Sequence, residues 1–258
     1  MSDSATREAA GEIEVTLGED FVGVVEFSRP PRNHFSAPML ASIATEIERL
    51  QEETDCRAVL LCAKGRHFCA GAELEDGAPA IKKLYDQGVR LFETRLPIVA
   101  ALQGASVGGG LGLALVADFR IATPESRLIA NFSRLGIHHG FGLSVTLPRV
   151  VGHQRALDML LTGRDIRGDE ALEIGLVDRL ASLGDLREAA HEMAAEIAAQ
   201  APLGVAAMRA TLRGHLADEV RSATAHEREQ QTVLFDTEDH REAMSAMAER
   251  RPGQFNGR

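Results

Sequence analysis

The chain has no tryptophan and a single tyrosine among 258 residues, against ten phenylalanines. Its core must therefore be aliphatic, and it offers little for stacking on bases or sugars. Cysteine is scarce too: Cys56, Cys62 and Cys69 form no C-x-x-C pair and cannot all pair internally. That argues against a disulfide framework and for a reducing cytosol. No metal site is expected. No apolar run reaches the roughly 18 residues of a membrane span. The first ten residues, MSDSATREAA, carry Asp3 and Glu8 and no apolar stretch of the signal-peptide kind. A cytoplasmic protein without a membrane partner is expected. Basic residues are outnumbered, 28 Lys and Arg against 38 Asp and Glu, for a net charge of −10. Such a surface repels polyanions, which argues against a nucleic-acid partner. A small anionic ligand would need a local basic patch, for which Arg29 with Arg32, Lys64 with Arg66, and Arg250 with Arg251 are candidates.

What the chain does have is 45 % apolar residues, enough for a real core, in a length suited to one large domain or a domain with an appendage. Residues 11–17 and 21–27 read as a hairpin turning at Gly18-Glu19-Asp20. Ser36 suits the cap of a helix running to about Glu52, with Leu40, Ile43, Ile47 and Leu50 as its apolar stripe. Strands are expected at 58–63, 98–102, 119–122 and 128–132. Helices are expected at 81–94 and, wholly apolar and so buried, at 109–116. The polar text from 75 to 80 reads as a loop, mobile from 77 to 80. Alternating strands and helices argue for parallel ββα-type units. Beyond position 140 the text is helical: 143–150, 153–161, 168–174, 186–200, a helix opened by Pro202, then 216–235 and 238–250. The division expected is a core over 1–200 and a helical segment over 201–258.

Two glycine-bearing turns stand out, GRHFCAGAEL from Gly65 and GASVGGGLGLA from Gly104. Each follows a strand and leads into a helical segment. Glycine there allows a tight turn and leaves amide N–H groups unpaired. Two such turns converging on one oxygen would suit a developing negative charge. A dinucleotide loop is rejected: Gly108-x-Gly110-x-Gly112 lacks the third glycine of G-x-G-x-x-G, and no acidic residue follows about 20 positions on.

FCAGAEL resembles the first signature of the enoyl-CoA hydratase/isomerase (crotonase) superfamily, and GASVGGGLGLALVADFRIA resembles the second. The resemblance runs from about Glu12 to the C-terminus and includes RPPRN, LPRVVG, EALEIGLVD and ERRPGQFNGR. It implies an α/β fold: a crotonase-type spiral of ββα units, with a C-terminal helical segment that builds a homotrimer or a hexamer. It implies an acyl-CoA thioester as substrate, CoA as part of that substrate, no covalently bound cofactor, and a place in fatty acid metabolism. The amides of Ala72 and Gly109 would polarise the thioester carbonyl. Ala70, Gly71, Glu73, Leu74, Gly108, Gly112 and Phe132 would surround the substrate. Arg29, Arg32 and Arg250 would meet the CoA phosphates.

The chain departs from the family where hydratases carry two glutamates. One of those positions is Gly112 and the other aligns with Phe132. Neither moves a proton, so the two-carboxylate addition of water is absent. A glycine and a phenylalanine there would enlarge and dry the acyl pocket. His138 and His139, in LGIHHGFG, are the acid–base candidates. As adjacent residues their side chains should point apart, with at most one facing the substrate. Cys69 has no partner base nearby and reads as packing. The expectation is an isomerase or lyase working through an enolate, by isomerisation, decarboxylation or thioester hydrolysis. The alternative is a non-catalytic acyl-CoA-binding protein with a degenerate site.

Overall fold

A computed structural model describes residues 11–73 and 78–258. Strands β1 (Glu12–Leu17) and β2 (Val22–Ser28) form the expected hairpin, with Phe21 in the left-handed region at φ 65° and Asp20 Oδ1 accepting from Val22 N. Helix α1 (Ala37–Glu53) opens on Ser36, whose Oγ accepts from Met39 N at 3.3 Å. Its stripe of Leu40, Ile43, Ile47 and Leu50 is fully buried. Next come β3 (Ala58–Ala63), α2 (Ala78–Glu93) and β4 (Ile98–Leu102). Helix α2 starts three residues earlier than expected, at the end of the loop read at 75–80; residues 74–77 lie outside the described residues.

The main sheet runs β1-β2-β3-β4-β6-β9, with β6 at Phe119–Ala122 and β9 at Arg179–Leu180. Only β1 is antiparallel; the others run parallel. Parallel inner strands are covered on both faces and so read as unbroken apolar runs. Alternate residues divide accordingly. Val59, Leu61 and Ala63 join the cluster under α1 and α2, while Ala58, Leu60 and Cys62 meet Leu186, Ala190 and Ala194 of α7 (Leu186–Ala198).

A second sheet escaped the sequence reading. It joins β5 (Ala105–Val107), β7 (Arg127–Ile129) and β8 (Asp165–Arg167). Three-residue strands are too short to show a period of two. The strand expected to run to residue 132 ends at Ile129, and Asn131–Leu135 is a 3₁₀ turn closed by left-handed Gly136. Helix α3 (Gly109–Ala114) is short and buried, as its all-apolar text requires. Helices α4 (Leu143–Val151), α5 (His153–Thr162) and α6 (Gly168–Glu173) follow.

The last helices are α8 (Pro202–Arg213), α9 (Leu216–Leu234) and α10 (Glu238–Glu249). Asp118 tethers α8, accepting from Arg209 Nε at 2.9 Å and Arg213 Nη1 at 2.7 Å. Helix α9 lies against α2 and α4, and α10 lies against the 3₁₀ turn, so this segment folds back over the core of its own chain. The inward face of α9 is Leu216, Val220, Thr224, Glu227 and Gln231, which keeps helical spacing but is polar in its second half.

Candidate active site

The two glycine turns meet through short ladders. Segment 69–73 lies between 32–35 and β5. Ala70 N donates to Arg32 O, Phe35 N to Gly71 O and Glu73 N to Phe35 O; on the other side Cys69 N donates to Ala105 O and Val107 N to Cys69 O. Pairing of this kind uses the amides of Ala70 and Glu73 and turns that of Ala72 the other way. Gly110 sits so close to the Cys69 carbonyl that a Cβ there would collide with it. Gly71 (φ 124°) and Gly108 (φ 55°, ψ −119°) hold backbone conformations that L side chains rarely adopt.

Gly109 is the first residue of α3, where an N–H has no partner within the helix. Among the described residues no acceptor meets the amide of Gly109 or that of Ala72. Both residues line one cavity of about 720 Å³. A Cβ built on Gly109 would stand 3.8 Å from Cβ of Ala72. The two turns thus come together on one cavity. Phe35, Leu84, Phe132, Ile137 and Phe141 supply the apolar wall.

Ala70, Gly71, Gly108 and Phe132 also line this cavity. Gly112 does not. A Cβ on it would fall 2.7 Å from Phe141 Cβ, so Phe141 fills the space that the glycine was expected to add to the pocket. Glu73 lies in an adjoining cleft with Arg29, Pro30, Pro31 and His34, ion-paired to Arg29 Nη2. Leu74 lies outside the described residues. Arg29 also donates to His34 O at 2.8 Å. Arg32 is exposed beside it, and Arg250 is exposed at the left-handed C-cap of α10.

The histidine pair is the main correction. Neither His138 nor His139 lines the cavity. Their rings stack on each other, with centroids 4.1 Å apart, rather than pointing apart. His138 Nδ1 is turned to His139 O at 2.7 Å. His139 Nε2 lies 2.8 Å from Ser144 Oγ, which donates its own proton to Glu227 Oε1 at 2.6 Å, so the imidazole must be the donor to the serine. Burial, with the neighbouring His138 and His226, lowers the His139 pKa to about 4.

Several residues on or behind the cavity carried no sequence signal. Tyr85, the only tyrosine, lines it and donates from its hydroxyl to Gln231 Oε1 at 2.7 Å, while Gln231 Nε2 donates to His138 O at 2.8 Å. Any side chain at Gly140 would strike that hydroxyl. Burial and the Glu227 charge push the Tyr85 phenol up, so it stays protonated. Glu227, wholly buried, also accepts from Gly142 N at 2.8 Å and Ser144 N at 3.0 Å. Asn33, at φ 54°, donates to Lys64 O and His67 O, both at 2.8 Å, and accepts from Arg29 N at 2.7 Å. It thus fastens the arginine loop to the first glycine turn. Asp236 and His240, given no role from the sequence, line the cavity from the C-terminal helices. A nucleophilic Cys69 is disfavoured, since burial pushes its thiol up to about 12. Among the described residues no group of His, Cys, Asp and Glu is arranged to hold a metal ion, and no helix is long and apolar enough to cross a membrane.

Comparison with known proteins bears on the family and the fold. The family described as enoyl-CoA hydratase/isomerase matches residues 18–258. An enoyl-CoA isomerase/hydratase of Zymoseptoria tritici is 32 % identical, over 92 % of this chain and 84 % of its own. The 4-chlorobenzoyl coenzyme A dehalogenase-2 of an Arthrobacter species is also 32 % identical, over 81 % of this chain and 80 % of its own. The crystal structure of an enoyl-CoA hydratase/isomerase from Pseudoalteromonas atlantica T6c superposes with a TM-score of 0.84 at 29 % identity, covering 95 % of this chain and 99 % of that one. With the signature turns, the fold and these relatives in agreement, the chain belongs to the enoyl-CoA hydratase/isomerase (crotonase) family.

Proposed function

We propose that the protein is an enzyme acting on an acyl-CoA thioester, whose carbonyl oxygen accepts hydrogen bonds from the amides of Ala72 and Gly109. The observation that carries this reading is the pair of amides that, among the described residues, meet no acceptor, on one apolar cavity. Donors already in place stabilise an enolate oxygen without reorganising, and each is worth about 10²–10³ in rate. With Gly112 and Phe132 at the glutamate positions, hydration through two carboxylates is set aside. Isomerisation, decarboxylation and thioester hydrolysis remain, and the dehalogenase among the relatives supports chemistry other than hydration.

The CoA arm is assigned to the cleft beside Arg29 and Arg32, with Arg250 as a further phosphate contact. Helix α8 supports a trimer or a dimer of trimers: it buries no residue in its own chain and exposes Leu203, Met208 and Leu212. Three buried free thiols, Cys56, Cys62 and Cys69, fit a cytoplasmic setting.

The test compares two substitutions at one site. Gly109→Ala adds a Cβ 2.7 Å from Phe35 Cζ and keeps the N–H; Gly109→Pro adds the same carbon and removes the N–H at a position where proline suits a helix. Turnover of an acyl-CoA panel should fall about 10²–10³-fold further in the proline variant. Equal turnover in the two overturns the assignment of Gly109. Tight acyl-CoA binding with no turnover in any form favours the non-catalytic binding protein, which the missing glutamates support.

A further inference from the structure

The cavity contains four titratable side chains among the described residues: His34, Tyr85, Asp236 and His240. Tyr85 has committed its proton to Gln231 and is held protonated by burial. His34 stands where the cavity meets the Arg29 cleft, facing Arg29 and Arg32. Asp236 is exposed at the cavity rim. His240 is held through one ring nitrogen and leaves the other without a partner among the described residues.

Its Nδ1 lies 2.7 Å from Leu135 O. A carbonyl only accepts, so Nδ1 carries the hydrogen and the lone pair of the neutral ring sits on Nε2. Nε2 has no partner among the described residues. The ring is held edge-on to Phe235, with centroids 5.1 Å apart, and the backbone amide is capped by Thr237 Oγ1 at 3.1 Å. Leu135 ends the 3₁₀ turn in which the Phe132 ring stands 3.7 Å from the Cβ position of Gly108. Leu135 and Phe132 line the same cavity as Ala72 and Gly109, so the anchor of His240 stands in the wall that the paired amides share.

We infer that Nε2 of His240 is the proton-transfer group of this site, taking the part that neither Gly112 nor Phe132 can play. The inference rests on the acyl-CoA reading above. The lone pair of Nε2 removes a proton from the carbon α to the thioester carbonyl; the electrons of that C–H bond form the C=C bond of the enolate, and the carbonyl π electrons pass to the oxygen that the amides of Ala72 and Gly109 hold. The imidazolium returns the proton at the same or another carbon, so no further reactant is needed.

The test is exchange of acyl-chain protons for deuterium in D₂O, with binding of the same thioesters measured alongside. The wild type should exchange. His240→Ala should exchange at least 100-fold more slowly with acyl-CoA affinity within threefold, the range expected for a lost general base. His240→Asn keeps an amide N–H for Leu135 O and lacks the base, and it should be as slow as His240→Ala. Exchange retained in His240→Asn would show that only the anchor matters and would overturn the inference. So would binding without exchange in the wild type, or loss of exchange in Asp236→Asn with His240→Asn still active. Failure to bind any acyl-CoA would instead sink the acyl-CoA reading.

Discussion

Phe141 occupies the space that Gly112 leaves open. A Cβ at Gly112 would lie 2.7 Å from Phe141 Cβ and 2.8 Å from its Cδ1, and the Phe141 ring also packs, tilted by 56° with centroids 5.2 Å apart, against Phe35 beside Gly109. The glycine at position 112 thus does not leave a hole. An aromatic side chain from the loop before α4, held at φ 62°, fills it and becomes cavity wall.

Gly112→Ala should therefore cost about 1–3 kcal/mol through overpacking. Phe141→Ala should cost about 3–5 kcal/mol through the cavity it opens. The double variant should be less destabilised than the sum, with a coupling of about 0.5–3 kcal/mol in a denaturant cycle. Strict additivity would show that the two residues do not share this space.

His139 sets an acid limit on stability. Its pKa is lowered from 6.5 to about 4, chiefly by burial. The unfolded chain takes up a proton below pH 6.5 that the folded state refuses until about pH 4. Stability from this group is complete above 6.5 and lost as the pH falls across that window, by about 3–4 kcal/mol. His139→Gln should flatten the acid limb of a melting profile. The C2-proton NMR signal of His139 should titrate near pH 4; a midpoint near 6.5 would contradict this.

Glu227 ties α9 to the start of α4 through two backbone amides and the Ser144 hydroxyl. Glu227→Ala leaves these donors buried without an acceptor, at a cost of about 2–4 kcal/mol. For a chain of this size that is a fall of roughly 5–15 °C in Tm. A change under 2 °C would mean that water satisfies the donors equally well.

Asn33→Ala should destabilise by a similar amount, about 2–4 kcal/mol. It strands the carbonyls of Lys64 and His67 and puts alanine in a left-handed conformation. Because the asparagine holds the Arg29 loop, acyl-CoA affinity should fall with stability. Unchanged affinity at equal folded fraction would uncouple the loop from CoA binding.

How much of this was legible beforehand differs from element to element. The stripe of α1, the wholly apolar β3 and β4, and the buried α3 follow from local patterns, because burial on one or two faces leaves a period in the text. The convergence of Ala72 and Gly109 is an expectation carried by motif wording; in the structure both residues line one cavity. The inward face of α9 was not legible, since its contacts are hydrogen bonds made by Glu227 and Gln231 rather than an apolar stripe.

The amino-acid order alone determined the strands, the helices and their caps, the two glycine turns and the absence of carboxylates at 112 and 132, because each depends on neighbours within a few residues. Only the tertiary structure decided what enters the cavity. Returning α9 and α10 over the core brings in Gln231 and His240, which face Tyr85 and Leu135 from 146 and 105 positions away. The stacked pair His138 and His139 is turned to Ser144 and the backbone instead, because Glu227 had already claimed that loop's donors. Such choices depend on which distant segments meet, and no local pattern records them.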